Sequence, residues 1–222
     1  MLPVLIETLL LASAGILSFG AITLTILLLI SDRGWLNGLA FALGYLGGYA
    51  LLGVAAVMLG YRSTNPSNDG PGVIFPSVLL LLGGLLLWVG WRNSRKPPVE
   101  KPEPPRFFAM VDNISPIRAL GFGGLVSVIN VKNLALFLTA QSVVILSSLS
   151  LAEKIVITLV AALVFSLSVL LPVLIFVSVP RQAAAILNRL KVALDKNSRA
   201  IGIWVPLIFG LLFLVVGYSY LA

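Results

Sequence analysis

The sequence predicts an all-α integral membrane protein with six transmembrane helices, arranged as two inverted three-helix repeats. Composition is the first observation: the 222 residues are 59% hydrophobic and 10% charged, with a mean hydropathy of +1.07. A soluble domain of this size needs far more polar surface. Second, the apolar residues fall in runs of about 20 or more, the length that crosses a bilayer at 1.5 Å rise per residue. Third, three runs occupy residues 1–91, a proline-rich basic linker occupies 92–117, and three more runs occupy 118–222. An odd number of spans in each half inverts one half relative to the other, the arrangement on which many transporters are built.

The first span is Leu2 to Ile30, long enough to need tilt or a break near Ser18-Phe19-Gly20. Its start carries Glu7 and lacks the basic stretch of a secretory signal, so it reads as a retained helix. After the turn Ser31-Asp32-Arg33-Gly34, Trp35 to Gly60 forms the second span, rich in glycine, including Gly44, Gly48 and Gly53. Small residues at that spacing let helices approach closely and permit a homodimer. Tyr61 to Gly72 is a polar, turn-rich loop. Val73 to Trp91 is the third span, closed by Trp88 and Trp91 as interfacial anchors.

The linker, RNSRKPPVEKPEPPR in its first part, is too rich in proline and too poor in apolar residues to build a core. Arg118 to Leu149 is the fourth apolar run, roughly 45 Å as one helix, so tilt or two half-helices meeting near Asn130 to Asn133 is expected. Leu151 to Val179 is the fifth span, with a kink expected at Pro172. Residues 180–199 read as an amphipathic helix lying on the membrane surface. Ile201 to Tyr220 is the sixth span, with Pro206 near its start.

The net charge of +7 belongs to the loops. Arg33, Arg92, Arg95, Lys96, Lys101, Arg106, Arg118, Arg181, Arg189, Lys191, Lys196 and Arg199 follow the first, third and fifth spans, whereas the other side holds Arg62 and Lys154. The positive-inside rule then predicts a multi-pass cell-membrane protein with both termini outside the cytoplasm. Topology accounts for the charge, so membrane lipids are the expected partners and nucleic acid is not. Cysteine and histidine are absent, which removes thiol relays, thiolate metal sites and the usual neutral-pH proton shuttle. With no acid–base pair or metal-ligand set, neither an enzyme nor a cofactor is expected.

Chemistry concentrates in Asn130-Val131-Lys132-Asn133, a polar island in an apolar run. A lysine at the centre of a spanning helix costs roughly 3 kcal/mol on insertion scales, so it should face protein, water or an anion. One reading gives Lys132 to an anionic headgroup or carboxylate, with Asn130 and Asn133 orienting it and Gly121, Gly123 and Gly124 admitting a neighbouring chain. A second pairs Lys132 with Glu7 to pin the first and fourth helices together. A third makes Lys132 a proton-coupling site, since a buried lysine can lose its proton near neutral pH. Ser18, Thr23, Thr25, Ser166 and Ser168 could line a cavity, although hydroxyls in membrane helices usually bond to their own backbone. Gln141 is the better lining candidate, because its amide needs a partner within hydrocarbon.

With the spans placed, the chain resembles the glycolipid-addressing proteins of the lysine-exporter superfamily. The passage LLLISDRGWLNGLAFALGYLGGYALLG is similar to that family's short basic turn and glycine-rich second helix. GFGGLVSVINVKNLALFLTA resembles its asparagine-proline-lysine-asparagine step, and the run from Pro172 through VPRQAAAILNRLKVALDKNSRAIGI its proline-bearing fifth helix and basic connector. Val131 stands where the signature has proline, as does Phe19 beside Ser18. Without those prolines the sequence gives less reason to expect a sharp break at either place. The resemblance implies export or flipping of a small anionic or amphipathic molecule, lipids in the namesake members. A non-transporting scaffold of a lipid-export machine is the alternative from a different class. Hinges would lie at Gly20, Gly121, Gly123, Gly124 and Pro172.

Overall fold

The structure, a computed structural model, describes residues 1–31, 34–63, 74–95 and 114–219. Asp32 and Arg33 of the first turn, most of the 61–72 loop and most of the 92–117 linker, with its basic residues beyond Arg95, lie outside the described residues.

All regular structure among the described residues is helical. Helix α1 (Leu2–Ala12) passes through a 3-10 turn (Ser13–Leu17) into α2 (Phe19–Ile30), followed by α3 (Gly34–Ser63) and α4 (Ile74–Arg95). In the second half come α5 (Pro116–Ile129), α6 (Val131–Leu146), α7 (Leu151–Phe165), α8 (Leu167–Ser178) and α9 (Pro180–Ser219). Gly34–Gly60 and Gly202–Ser219 are each long and apolar enough to cross a membrane alone. Three bent pairs, α1 with α2, α5 with α6 and α7 with α8, bring the total to as many as five if each is one span. Among the described residues that is two to five spans where six were expected; α4 is helical where the third was expected but is not among them.

The bends are sharp: 57° at Ser18, 73° at Asn130 and 63° at Ser166. Ser18 (φ −77°, ψ 83°) and Asn130 (φ −74°, ψ 76°) share one backbone conformation. A ψ near +80° in place of the helical value of about −42° turns the chain and releases it from the helix ladder. Both breaks form without proline. The fifth span bends at Ser166, not at Pro172, which sits inside α8. The cost of Pro172 is local: it takes the helical donor away from the Ser168 carbonyl.

Residues 180–199 are not a separate surface helix; they run unbroken into the last span as the 40-residue α9. Nothing between Lys196 and Ile201 stops a helix, since glycine and proline are both absent there. Pro206 lies inside α9 and would orphan the Gly202 carbonyl. Asn93 Nδ2, near the end of α4, donates to that carbonyl at 2.9 Å.

Small residues set the packing distances. A Cβ on Gly44 would strike the Leu120 carbonyl, and one on Gly123 the Phe41 carbonyl, so α3 and α5 touch backbone to backbone. Where α4 crosses α9, a Cβ at either Gly83 or Gly210 would lie 2.9 Å from the other's carbonyl oxygen. Contacts this close are what holds helices together in lipid, where there is little hydrophobic drive between them. The fully buried rings of Phe41, Tyr45, Tyr49, Phe137 and Phe165 form the centre.

Candidate functional site

The site is built where the breaks meet. Asn130 is the N-cap of α6, its Oδ1 accepting from the Asn133 backbone N–H at 3.3 Å. Asparagine is among the best residues for this task, because its short side chain reaches a free amide of the first turn. The cap orients the first turn of α6 and turns the Asn133 side chain inward. Asn133 Nδ2 donates to Ser18 Oγ at 2.7 Å and to Tyr45 Oη at 3.3 Å. One amide thus ties the break at Ser18 to the break at Asn130 and both to the unbroken α3. The third break joins through Gly15, where a Cβ would enter the Phe165 ring, at the last turn of α7.

Around the Tyr45 hydroxyl lie the Asn133 amide, which bonds it at 3.3 Å, and the side chains of Ser18, Tyr49 and Ser168. Tyr45 and Tyr49 have ring centroids 4.9 Å apart, and Tyr49 packs on Phe165 at 4.7 Å and Phe137 at 4.8 Å. The hydroxyls of Tyr49, Ser166, Ser168 and Thr23 are buried and make no hydrogen bond of good geometry among the described residues. Each such group forfeits about 1–3 kcal/mol of solvation with nothing in return. This arrangement can recognise hydroxyl, carbonyl or ester oxygens by hydrogen bonding.

The other sequence candidates are dispersed. Lys132 stands on the first turn of α6 with its side chain exposed. Glu7 lines an apolar cavity of about 470 Å³ with Leu2, Pro3, Ile6, Leu10, Leu11 and Val216. Gln141 lies farther along α6, its Oε1 accepting from Thr158 Oγ1 at 2.8 Å and its Nε2 without a partner among the described residues. Thr25 bonds back to the Ala21 carbonyl, as membrane hydroxyls usually do. Gly121, Gly123 and Gly124 lie inside α5, and the chain bends at Asn130 beyond them. Gly20 sits in the first turn of α2 with open space where a Cβ would be.

Sequence reasoning missed Tyr45 and Tyr49. Their spacing was the available signal: residues four apart share a helix face, and two hydroxyls on one face of an apolar span need partners. It also counted Lys154 simply as a loop charge on the less basic side, whereas Lys154 is 3% exposed and its Nζ donates to the Ile145 carbonyl at 2.7 Å. That ammonium sits at the last turn of α6, where free carbonyls and the helix dipole both favour a cation. Among the described residues, no group of three His, Cys, Asp or Glu side chains could hold a metal ion.

A second cavity, of about 290 Å³, runs between α2 and α5, lined by Gly20, Ala21, Leu24, Phe122, Leu125, Val126, Ile129 and Asn130. Neither the curated proteins nor the solved structures give a significant match to the chain. The family described as Sap, sulfolipid-1-addressing protein, matches residues 8–219. That range takes in every break, both tyrosines and the polar junction, and the chain belongs to this family of lipid-addressing membrane proteins.

Proposed function

We propose that the protein is a secondary transporter that exports or flips an anionic amphiphile, a lipid or glycolipid, by rocking one three-helix half against the other. The observation that carries this reading is the Asn133 amide, which bonds Ser18 and Tyr45 at the junction of two broken helices. Transporters place substrate sites at discontinuous helices, where released backbone groups and polar side chains face a path through the membrane. The shared conformation of Ser18 and Asn130 supports two inverted repeats of the lysine-exporter kind. In such repeats Ser18 would correspond to Asn130. Membership in a family named for a sulfolipid supports an anionic lipid as cargo. In this reading Lys132 and Asn130 receive the headgroup, Asn133 couples its arrival to the junction, and the basic loops face the cytoplasm.

The test uses the full chain in sealed vesicles, following a lipid with a fluorescent anionic headgroup as it becomes accessible to an added quencher. Movement above that of protein-free vesicles, lost in Asn133→Ala, is expected. A wild-type rate equal to that of empty vesicles overturns the transporter reading.

A scaffold remains the second reading, favoured by one feature. Arg92 lies 5.1 Å over the Trp88 ring and Arg95 lies 4.0 Å over Trp91, which fixes two guanidinium groups on one face. Such a basic, aromatic rim suits docking to another membrane component. Arg92→Glu with Arg95→Glu abolishing function in cells, while lipid movement in vesicles persists, would favour it.

A further inference from the structure

The groove between α2 and α5 has a polar end and an apolar length. At the polar end stand Asn130 and the first turn of α2, whose cap residue Ser18 makes no side-chain capping bond, and the exposed Lys132 follows Asn130 by two residues on the first turn of α6. Gly20 opens that end, since nothing lies within 4 Å of where its Cβ would be. From there Leu24 on one wall and Val126, Leu125 and Phe122 on the other lead away along two antiparallel helices. Leu125 is 52% exposed and Ile129 65%, so the groove opens sideways rather than into the bundle. A positive side chain near two helix N-termini is electrostatically unfavourable unless an anion stands between them.

We propose that this groove is a lateral lipid site, in which an anionic headgroup meets Lys132, Asn130 and the α2 N-terminus while one hydrocarbon tail lies along Leu24, Leu125 and Phe122. The proposal rests on the lipid-handling reading above and adds an orientation to it. From the break, α2 runs to its C-terminus and α5 runs back to its N-terminus, where Arg118 is exposed. A tail in the groove therefore points toward the basic end of α5, with its headgroup turned away from that end. A lipid resident in the leaflet on that side has the reverse orientation. A lipid held this way is oriented opposite to those of the leaflet that adjoins the basic end of α5.

The chain lacks cysteine, but a photoreactive lipid needs no engineered thiol. Phosphatidylglycerol and phosphatidylcholine carrying a diazirine in one tail are incorporated with the full chain in lipid nanodiscs, irradiated, and the labelled residues mapped by mass spectrometry. Labelling of Leu24, Phe122 and Leu125 by the anionic probe, exceeding that by the zwitterionic probe about fivefold, is the result expected for one headgroup–cation pairing. Lys132→Ala should erase that preference, Lys132→Arg should keep it, and Gly20→Leu should block labelling by both probes. Equal labelling by the two probes, unchanged in Lys132→Ala, overturns the proposal and leaves only annular lipid. The vesicle assay separates the two ideas. Selective labelling without lipid movement sinks the transporter and keeps the site, whereas lipid movement with unselective labelling does the reverse.

Discussion

Asn93 Nδ2 donates to the Gly202 carbonyl at 2.9 Å, the acceptor that Pro206 leaves without its helical donor. The bond joins α4 to α9 across the two halves of the chain, and Arg199 reaches the Ser94 carbonyl at 3.5 Å beside it. An orphaned carbonyl within a membrane protein is costly, so Asn93→Ala should lower stability by about 1–3 kcal/mol. Pro206→Ala restores the helical donor and should recover most of that loss in the double variant. Thermal unfolding in detergent of the two single variants and the double variant reads the coupling. Additive losses would mean that Asn93 acts by some route other than the proline.

The Asn133 amide gives a second cycle. Asn133→Ala removes two side-chain bonds and strands the Ser18 hydroxyl, for an expected loss of about 2–3 kcal/mol. Ser18→Ala leaves the amide its bond to Tyr45 and should cost about 1 kcal/mol. The double variant should fall short of the sum, because the two residues share one bond. A sum that holds within error would mean that the breaks are not joined through this contact.

Gly44 and Gly47 lie on the same helix and differ in what faces them. A Cβ on Gly44 meets the Leu120 carbonyl and the Gly124 backbone, whereas at Gly47 nothing lies within 4 Å. Gly44→Ala should therefore push α5 away and destabilise by about 1–3 kcal/mol. Gly47→Ala should be neutral or stabilising by up to about 1 kcal/mol, since it only improves helix propensity. Melting temperatures of the two variants check this, and similar losses in both would show that propensity, not close approach, sets the outcome.

These contacts mark where the sequence could be read. Hydropathy runs located the helices, and glycine spacing located the close face of α3, because both are properties of consecutive residues. Length alone left tilt or a break open near Ser18 and near Asn130, since a 30-residue apolar run overshoots the bilayer, and the chain breaks at both. Their chemistry was sought in missing prolines, while Asn130 was in fact serving as an N-cap. Asn133 was picked out, but its partners lie 115 and 88 residues away, and no local pattern encodes such a pairing. Pro172 misled for the converse reason: a proline in a membrane helix removes one bond, yet the bend went to Ser166, where the chain packs against Gly15 through Phe165. Lys154 looked topogenic because exposure cannot be seen along a chain, and it proved to be a buried cap on α6.

Tyr49 separates stability from function. Its ring is fully buried against Tyr45, Phe137 and Phe165, while its hydroxyl, beside that of Tyr45, makes no hydrogen bond of good geometry among the described residues. Tyr49→Phe keeps every ring contact and discards the unpaired oxygen, so it should stabilise the fold by about 1 kcal/mol. A protein that retains an unpaired hydroxyl in hydrocarbon is giving up stability, and sites that must bind or move are where such losses persist. If a headgroup or an ordered water uses that hydroxyl as the halves rock, the more stable variant will move lipid more slowly in the vesicle assay. A variant that is both more stable and fully active would assign Tyr49 to packing alone. One that melts lower than the parent would reveal a partner for the hydroxyl in the resting fold.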